Sequence, residues 1–270
     1  RYAVQPLWRF TKNLVLAIPP LVIALMITWL YFTWIKTVGM AYLLSGGIPD
    51  FVNLMMLHVL LGLLVTSFYK ACLTQPPMLL DHSELLDRQT GRHVPYVLRY
   101  RRCNKCDIVK PPRCHHCALC EACISRMDHH CVWVGNCVGR HNHKFFVLLL
   151  FHSVSISAFA AITAHEHLSK NEENELSLEI LFYVTCIIFC VIGGFCAFHF
   201  FLVLINQTTL EFVGSLTGYH DMEDRASFYK SIRDNWEEIF GDSPLLWFVP
   251  YLPPKPTQLE IYPAGLNSLL

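Results

Sequence analysis

The chain has 270 residues, a formal net charge of zero, 53% hydrophobic residues and only 16% charged ones. An ordinary soluble domain carries about 25% charged residues, so this composition excludes a soluble globular protein. It opens at Arg1 with no short apolar segment ending in small residues, and no cleavable signal peptide is expected.

Four apolar runs reach the roughly 17–25 residues that a bilayer crossing requires. The first extends from about Leu14 to Ile35, where Pro19-Pro20 should kink the helix or mark the start of its regular part. The second runs from about Ile48 to Tyr69, the third from Phe145 to Ala164, and the fourth from about Leu178 to Ile205. The expected fold is an α-helical integral membrane protein. Its four transmembrane helices flank a cysteine-rich domain between the second and third.

Basic residues set the expected orientation. Twelve Lys and Arg residues lie from Lys70 to Lys144, whereas the link "HEHLSKNEENELS" between the third and fourth spans has Lys170 alone among acids. The positive-inside rule puts both termini and the Lys70–Lys144 loop in the cytosol. The expected division is 1–13 cytosolic N-terminus, 14–69 spans one and two, 70–144 cytosolic zinc domain, 145–205 spans three and four, and 206–270 cytosolic tail.

Eight of the twelve cysteines fall between Cys103 and Cys137, in "CNKCDIVKPPRCHHCALCEACISRMDHHCVWVGNC". In a reducing compartment such a cluster reads as metal ligands before disulfides. Thiolate pairs two residues apart suit tetrahedral zinc, and two such sites need eight ligands. With His115, His116, His129, His130, His141 and His143 also present, the loop holds more candidates than two zincs can use. Spacing alone does not say which residues are left over.

This stretch resembles the cysteine-rich domain of the DHHC family of protein S-acyltransferases (palmitoyltransferases). The family's Cys-x2-Cys, Lys-Pro-x-Arg-x-His-His-Cys-x2-Cys-x2-Cys, Asp-His-His-Cys and final Cys are all met from Cys103 to Cys137. "NQTTLE", with Thr208, Thr209 and Glu211, is similar to the family's Thr-Thr-x-Glu motif, and "NWEEIFG" to its tail motif through Asn235. Two elements depart from the family: Val132 stands where Pro is usual after the last Cys of "DHHC", and "TQPP" stands for an Asp-Pro-Gly element.

The resemblance implies two structural Zn2+ ions, one on Cys103, Cys106, His116 and Cys123, the other on Cys117, Cys120, His130 and Cys137. It leaves Cys131 free as a nucleophile, with His129 as base and Asp128 as its orienter. In an extended segment side chains two apart share a face, so His129 and Cys131 point one way and His130 back to zinc. Strict alternation would put Asp128 on the wrong side, and the chain must turn there.

The implied reaction takes an acyl group from acyl-CoA (palmitoyl-CoA) onto Cys131. It then passes the group to a cysteine of a cytosolic or membrane protein, in two ping-pong half-reactions. Lys110, Arg113, His115 and Trp133 match positions that the family uses near CoA. Thr208, Thr209, Glu211 and Asn235 read as polar pins holding the tail against the catalytic loop. The acyl tail calls for a cavity among the spans, opening beneath Cys131. The lipid bilayer is a partner and no nucleic acid is expected. An endomembrane (Golgi or endoplasmic reticulum) or the plasma membrane is the expected location. The alternative is a membrane-anchored zinc-binding scaffold without catalysis.

Overall fold

The computed structural model describes residues 7–76, 102–110, 113–170, 176–218 and 231–252, with the backbone alone at 7–13 and 109. Four of its helices are long and apolar enough to cross a membrane. The acidic link 171–175, Pro77 of "TQPP", and Arg88, Arg92, Arg99 and Arg101 of the basic loop lie outside the described residues.

Helix α1, Leu7–Trp34, contains both Pro19 and Pro20. It neither starts nor ends at them, so the prolines do not mark where its regular part begins. In hydrocarbon a helix has no solvent to compete for its backbone, and neighbouring turns re-satisfy the groups a proline frees. The helix continues through a wider π turn, Ile35–Gly39, into α2, Met40–Ser45. Gly46, at φ 63°, ends it in the left-handed conformation that favours glycine. Pro49, in the first turn of α3, then starts the second long helix, Ile48–Leu73.

The third and fourth long helices are α4, His143–Lys170, and α5, Leu176–Leu204. The outer faces of α1, α3 and α5 carry Val22, Phe51, Val59, Ile187 and Val191, all exposed. A soluble bundle would place charge there; lipid accepts this surface. At one end of the bundle Trp34, Val38, Tyr42, Leu57, Ala164, Leu178 and Leu181 form a core, and Trp34 Nε1 donates to Thr163 Oγ1 at 2.9 Å.

The opposite end carries three antiparallel hairpins: β1 Arg102–Cys103 with β2 Ile108–Val109, β3 His115–Cys117 with β4 Ala122–Ile124, and β5 His129–Cys131 with β6 Asn136–Val138. The first two turns are built alike. Each leading sulfur accepts an N–H from the second cysteine of its pair, Cys106 to Cys103 and Cys120 to Cys117. The residue after each pair, Asp107 and Glu121, is left-handed.

Two asparagines dock the hairpins on the bundle. The last carbonyls of a helix have no partner within it. Asn136 Nδ2 donates to the Ala71, Cys72 and Thr74 carbonyls at 3.2, 3.1 and 3.0 Å. Asn142 Nδ2 donates to Thr74 and Cys137. Thus the end of α3 is capped by the domain that follows it. Gly135 turns the third hairpin at φ +61°, and a Cβ there would meet Pro20 Cγ at 3.2 Å. The absence of a side chain lets this turn close on α1.

The tail contributes α6, Thr209–Leu216, and α7, Ile232–Phe240. Both open with capping boxes, Thr208 with Glu211 and Ser231 with Asp234. Lys144, almost fully buried at the start of α4, donates from Nζ to the Phe240, Leu246 and Tyr251 carbonyls. A buried ammonium with three acceptors gathers the tail against the bundle.

Candidate active site

The eight expected ligands converge as two groups. His116 Nδ1 lies 3.6, 3.2 and 3.9 Å from the sulfurs of Cys103, Cys106 and Cys123. His130 Nδ1 lies 3.6, 3.4 and 3.5 Å from those of Cys117, Cys120 and Cys137. A tetrahedron built on Zn–S and Zn–N bonds has edges of about 3.3–3.8 Å. These are the separations that a zinc ion produces.

The donor chemistry agrees. Three thiols crowded on one imidazole cannot all ionise without a cation. Cys120 falls to about 4, drawn down first by Cys137 and then by His130, while Cys137 is pushed far up by the same contact. A dication removes that conflict by favouring every thiolate. Each group is a Cys3His set, which fits zinc, and four protein ligands leave no position for a reacting molecule.

The β5 strand separates anchor from reactive pair. His130 faces the second zinc group. His129, one residue earlier, donates from Nδ1 to Asp128 Oδ2 at 2.6 Å. The neighbouring Cys131 thiol, two residues on, also favours its charged form. Asp128 precedes the strand, where alternation does not apply, and this supplies the turn that the sequence required. Cys131 is buried, 8% exposed, against Ala71, Val134, Val138, Phe145, Phe146 and Leu150. The Phe146 ring meets His129 edge-on at 5.0 Å.

Asp128 is fully buried, with 0% exposure. Burial opposes its charge, but the bond from His129 and the surrounding imidazoles hold its carboxyl well below the usual range. Thr209 adds two donors, its N–H to Oδ1 at 2.9 Å and its hydroxyl to Oδ2 at 2.8 Å. Burial also opposes a charge on His129, yet the Asp128 bond and the Cys131 thiol raise it to about 9. The Asp128 carboxylate thus stabilises an imidazolium at His129, two residues from the Cys131 thiol.

The remaining expected residues divide. Arg113 is 7% exposed and forks onto Glu211, with Nε to Oε1 at 2.7 Å and Nη2 to Oε2 at 2.9 Å. Two further bonds reach Asn206 Oδ1 and its carbonyl. Its guanidinium is turned inward. Lys110 and His115 are half-buried on the hairpin surface, and Trp133 is 56% exposed two residues past Cys131. Thr208 caps α6. Asn235 differs from expectation, since its Nδ2 donates to the Leu204 carbonyl at 2.7 Å and pins the tail to the end of α5 instead of to the catalytic loop.

Sequence reasoning missed Arg126, Asn206, His143 and His199. Arg126 is buried, donating to His143 Nδ1 at 2.8 Å and Asn206 Oδ1 at 3.1 Å. Its partners lie 17 and 80 positions away, so no local pattern announces them. The only available signal was an imidazole, His199, inside an apolar span.

An apolar cavity lies among all four long helices, lined by Tyr31, Trp34, Leu61, Leu64, Ile156 and Thr185 among others. It sits deeper than the expected mouth. Ile156 is ten residues along α4 from Phe146, or about 15 Å at the rise of a helix.

A membrane-spanning bundle with two zinc-type Cys3His groups, and with Asp128, His129 and Cys131 flanking His130 of the second, defines a membrane-embedded zinc-binding protein. A profile of the DHHC palmitoyltransferases matches residues 98–215. Human palmitoyltransferase ZDHHC20 is 30% identical over 280 residues, covering 90% of this chain and 76% of that protein. Human palmitoyltransferase ZDHHC2 is 30% identical over 296 residues, covering 93% and 80%, and the Xenopus laevis ZDHHC15 enzyme 27% over 264, covering 86% and 78%. The chain belongs to the DHHC palmitoyltransferase family.

Proposed function

We propose that this chain is a protein-cysteine S-palmitoyltransferase that works by two half-reactions through an acyl-Cys131 intermediate. The observation that carries this is the Asp128–His129 pair next to Cys131, beside two closed metal groups that take six of the eight cysteines and leave Cys114 and Cys131; burial pushes the Cys114 thiol up to about 12, which leaves Cys131 for the chemistry. Cys131 attacks the thioester carbonyl of acyl-CoA while His129 accepts the thiol proton. The proton returns to the departing CoA sulfur, leaving the fatty acyl group on Cys131. His129 then deprotonates a cysteine of a cytosolic-side protein. That thiolate takes the acyl group and restores the Cys131 thiol. Asp128 keeps the imidazole in the productive tautomer throughout.

Zinc, when bound, supplies structure: it fixes the hairpins and hence the direction of His129. Six cysteines and two histidines hold it, Cys103, Cys106, His116 and Cys123 in one site and Cys117, Cys120, His130 and Cys137 in the other. Lys110, His115 and Trp133, on the outer hairpin surface, meet the CoA moiety in this reading. Arg113 belongs to the same group by its place in the sequence between Lys110 and His115, and it is bound to the tail through Glu211 and Asn206. Thr208, Thr209, Glu211 and Asn235 act through the parts they hold. The cavity takes the far end of the acyl chain, where burial gains about 0.8 kcal/mol per methylene. This requires the zinc domain and both termini on the cytosolic face, as the distribution of Lys and Arg supports. The division into cytosolic 1–13, 70–144 and 206–270 with spans at 14–69 and 145–205 follows. An endomembrane or plasma membrane and substrates with a juxtamembrane cysteine complete the reading.

The test is intact mass after incubation with palmitoyl-CoA. A hydroxylamine-labile adduct on Cys131, absent from Cys131→Ala while both zincs remain, is expected. His129→Ala should slow both half-reactions by about 10²–10⁴-fold with zinc retained, and His130→Ala should lose one zinc. An adduct that persists in Cys131→Ala, or metal loss from the His129 variant in place of the His130 one, overturns the assignment.

A further inference from the structure

Asp128 has a neighbour that the reaction above does not use. His143, the first residue of α4, is fully buried, and its Nε2 lies 4.0 Å from Asp128 Oδ1. That nitrogen has no hydrogen-bond partner among the described residues. With His199 these groups also satisfy the distance criterion for a third metal site, all within 4.8 Å of one another.

The tautomer decides between the two possibilities. Arg126 Nη1 lies 2.8 Å from His143 Nδ1. A guanidinium carries donors and no acceptor, so Nδ1 must offer its lone pair. The ring proton of the neutral imidazole therefore sits on Nε2, facing Asp128. A metal ion in this cluster would need the Nε2 lone pair as well, which strips the ring of both protons. Arg126 thus disfavours metal and aims an N–H at the carboxylate.

We propose that His143 is a positioning residue for Asp128, presenting an Nε2–H toward Oδ1, the oxygen that His129 does not use. The proposal rests on the catalytic reading above. Oδ2 is shared by His129 and the Thr209 hydroxyl, while Oδ1 has the Thr209 N–H alone. A donor on the Oδ1 side fixes the rotation of the carboxylate and keeps Oδ2 on His129. At 4.0 Å the contact is a directed dipole and not yet a hydrogen bond. Bonds of this kind tighten when charge develops in the reaction. The full charge of Arg126, one ring away, polarises the imidazole in the same sense.

The test compares three isolated variants, each assayed for zinc content and for the rate of acyl-Cys131 formation from palmitoyl-CoA. His143→Phe keeps a ring and removes both nitrogens, so the rate should fall about 10–100-fold with two zincs retained and KM for palmitoyl-CoA unchanged. His143→Gln, whose amide can accept from Arg126 and donate to Asp128, should recover most of that loss. His143→Glu has the same shape and can accept from Arg126 but offers Asp128 no donor, and it should remain slow. In an Asp128→Asn background the His143→Phe change should cost less than about 2-fold, because its route to His129 has been removed. A normal rate in His143→Phe overturns the proposal, as do equal rates for the Gln and Glu variants or a full loss in the Asp128→Asn background. If the Phe variant fails to keep its zinc, the Gln–Glu comparison alone decides. A wild-type chain that forms no acyl-Cys131 refutes the catalytic reading itself, an outcome separate from any of these.

Discussion

The hairpins and the tail both meet Asp128, but they are held by different physics. The first two hairpins are strands of two or three residues whose buried clusters are four ligating cysteines with Cys114, Ile108, Ile124 and Met127. They have little apolar area to bury, so metal must supply their folding energy. The tail is pinned instead by buried polar bonds: Arg113 to Glu211 and Asn206, Lys144 to three carbonyls, Asn235 to Leu204. One attachment is all-or-none. The other can be weakened one bond at a time.

Removing metal gives the largest effect. Structural zinc is worth on the order of 10–16 kcal/mol of apparent binding energy, so chelation or Cys117→Ser should unfold the hairpins, expose free thiols and abolish acylation together. The four long helices should survive by circular dichroism, since their cores do not include the ligand groups. If chelated protein keeps its acylation rate, the hairpins are held by something other than metal and the comparison collapses.

Arg113→Ala comes next. Arg113 and Glu211 are each less than a tenth exposed. Leaving one member of such a pair buried and unpaired costs about 3–5 kcal/mol. The tail should loosen, seen as faster proteolysis between α6 and α7, while both zincs stay bound. Loss of zinc from this variant would show that the two attachments are one.

The difference also explains what could be read from sequence. Metal ligation repeats locally: Cys103-x2-Cys106 and Cys117-x2-Cys120 declare their geometry within four residues, and the period-two face of a strand separates His129 and Cys131 from His130. The apolar runs announced the four spans for the same reason. The polar attachments join residues far apart in the chain. Arg126 finds Asn206 and Arg113 finds Glu211 only after the bundle has closed, and nothing near either arginine marks it as buried. Arg113 was therefore expected only near CoA, with no sign of its bonds to the tail, and Asn235 was expected at the wrong partner. Pro19-Pro20 misled in the opposite direction, since a rule learned in water overstates what proline does to a helix in lipid.

The smallest effect separates two adjacent residues of the tail. Thr208 and Thr209 look equivalent in "NQTTLE", but the first hydroxyl accepts the Glu211 N–H as a helix cap and the second donates to Asp128. Thr209→Val removes one charged-acceptor hydrogen bond, worth about 1.5–3 kcal/mol. The Thr209 N–H to Oδ1 remains, so Asp128 keeps its place but holds His129 less firmly. Acyl-Cys131 formation should slow about 10-fold and the melting midpoint should fall, and Thr209→Ser should restore both. Thr208→Ala loses a cap, about 1 kcal/mol, so the melting midpoint should drop slightly while the rate holds. The rate thus separates the two variants. If Thr208→Ala slows acylation as much as Thr209→Val, the tail acts on the site only as a block, and the hydrogen bond from Thr209 to Asp128 has no separate role.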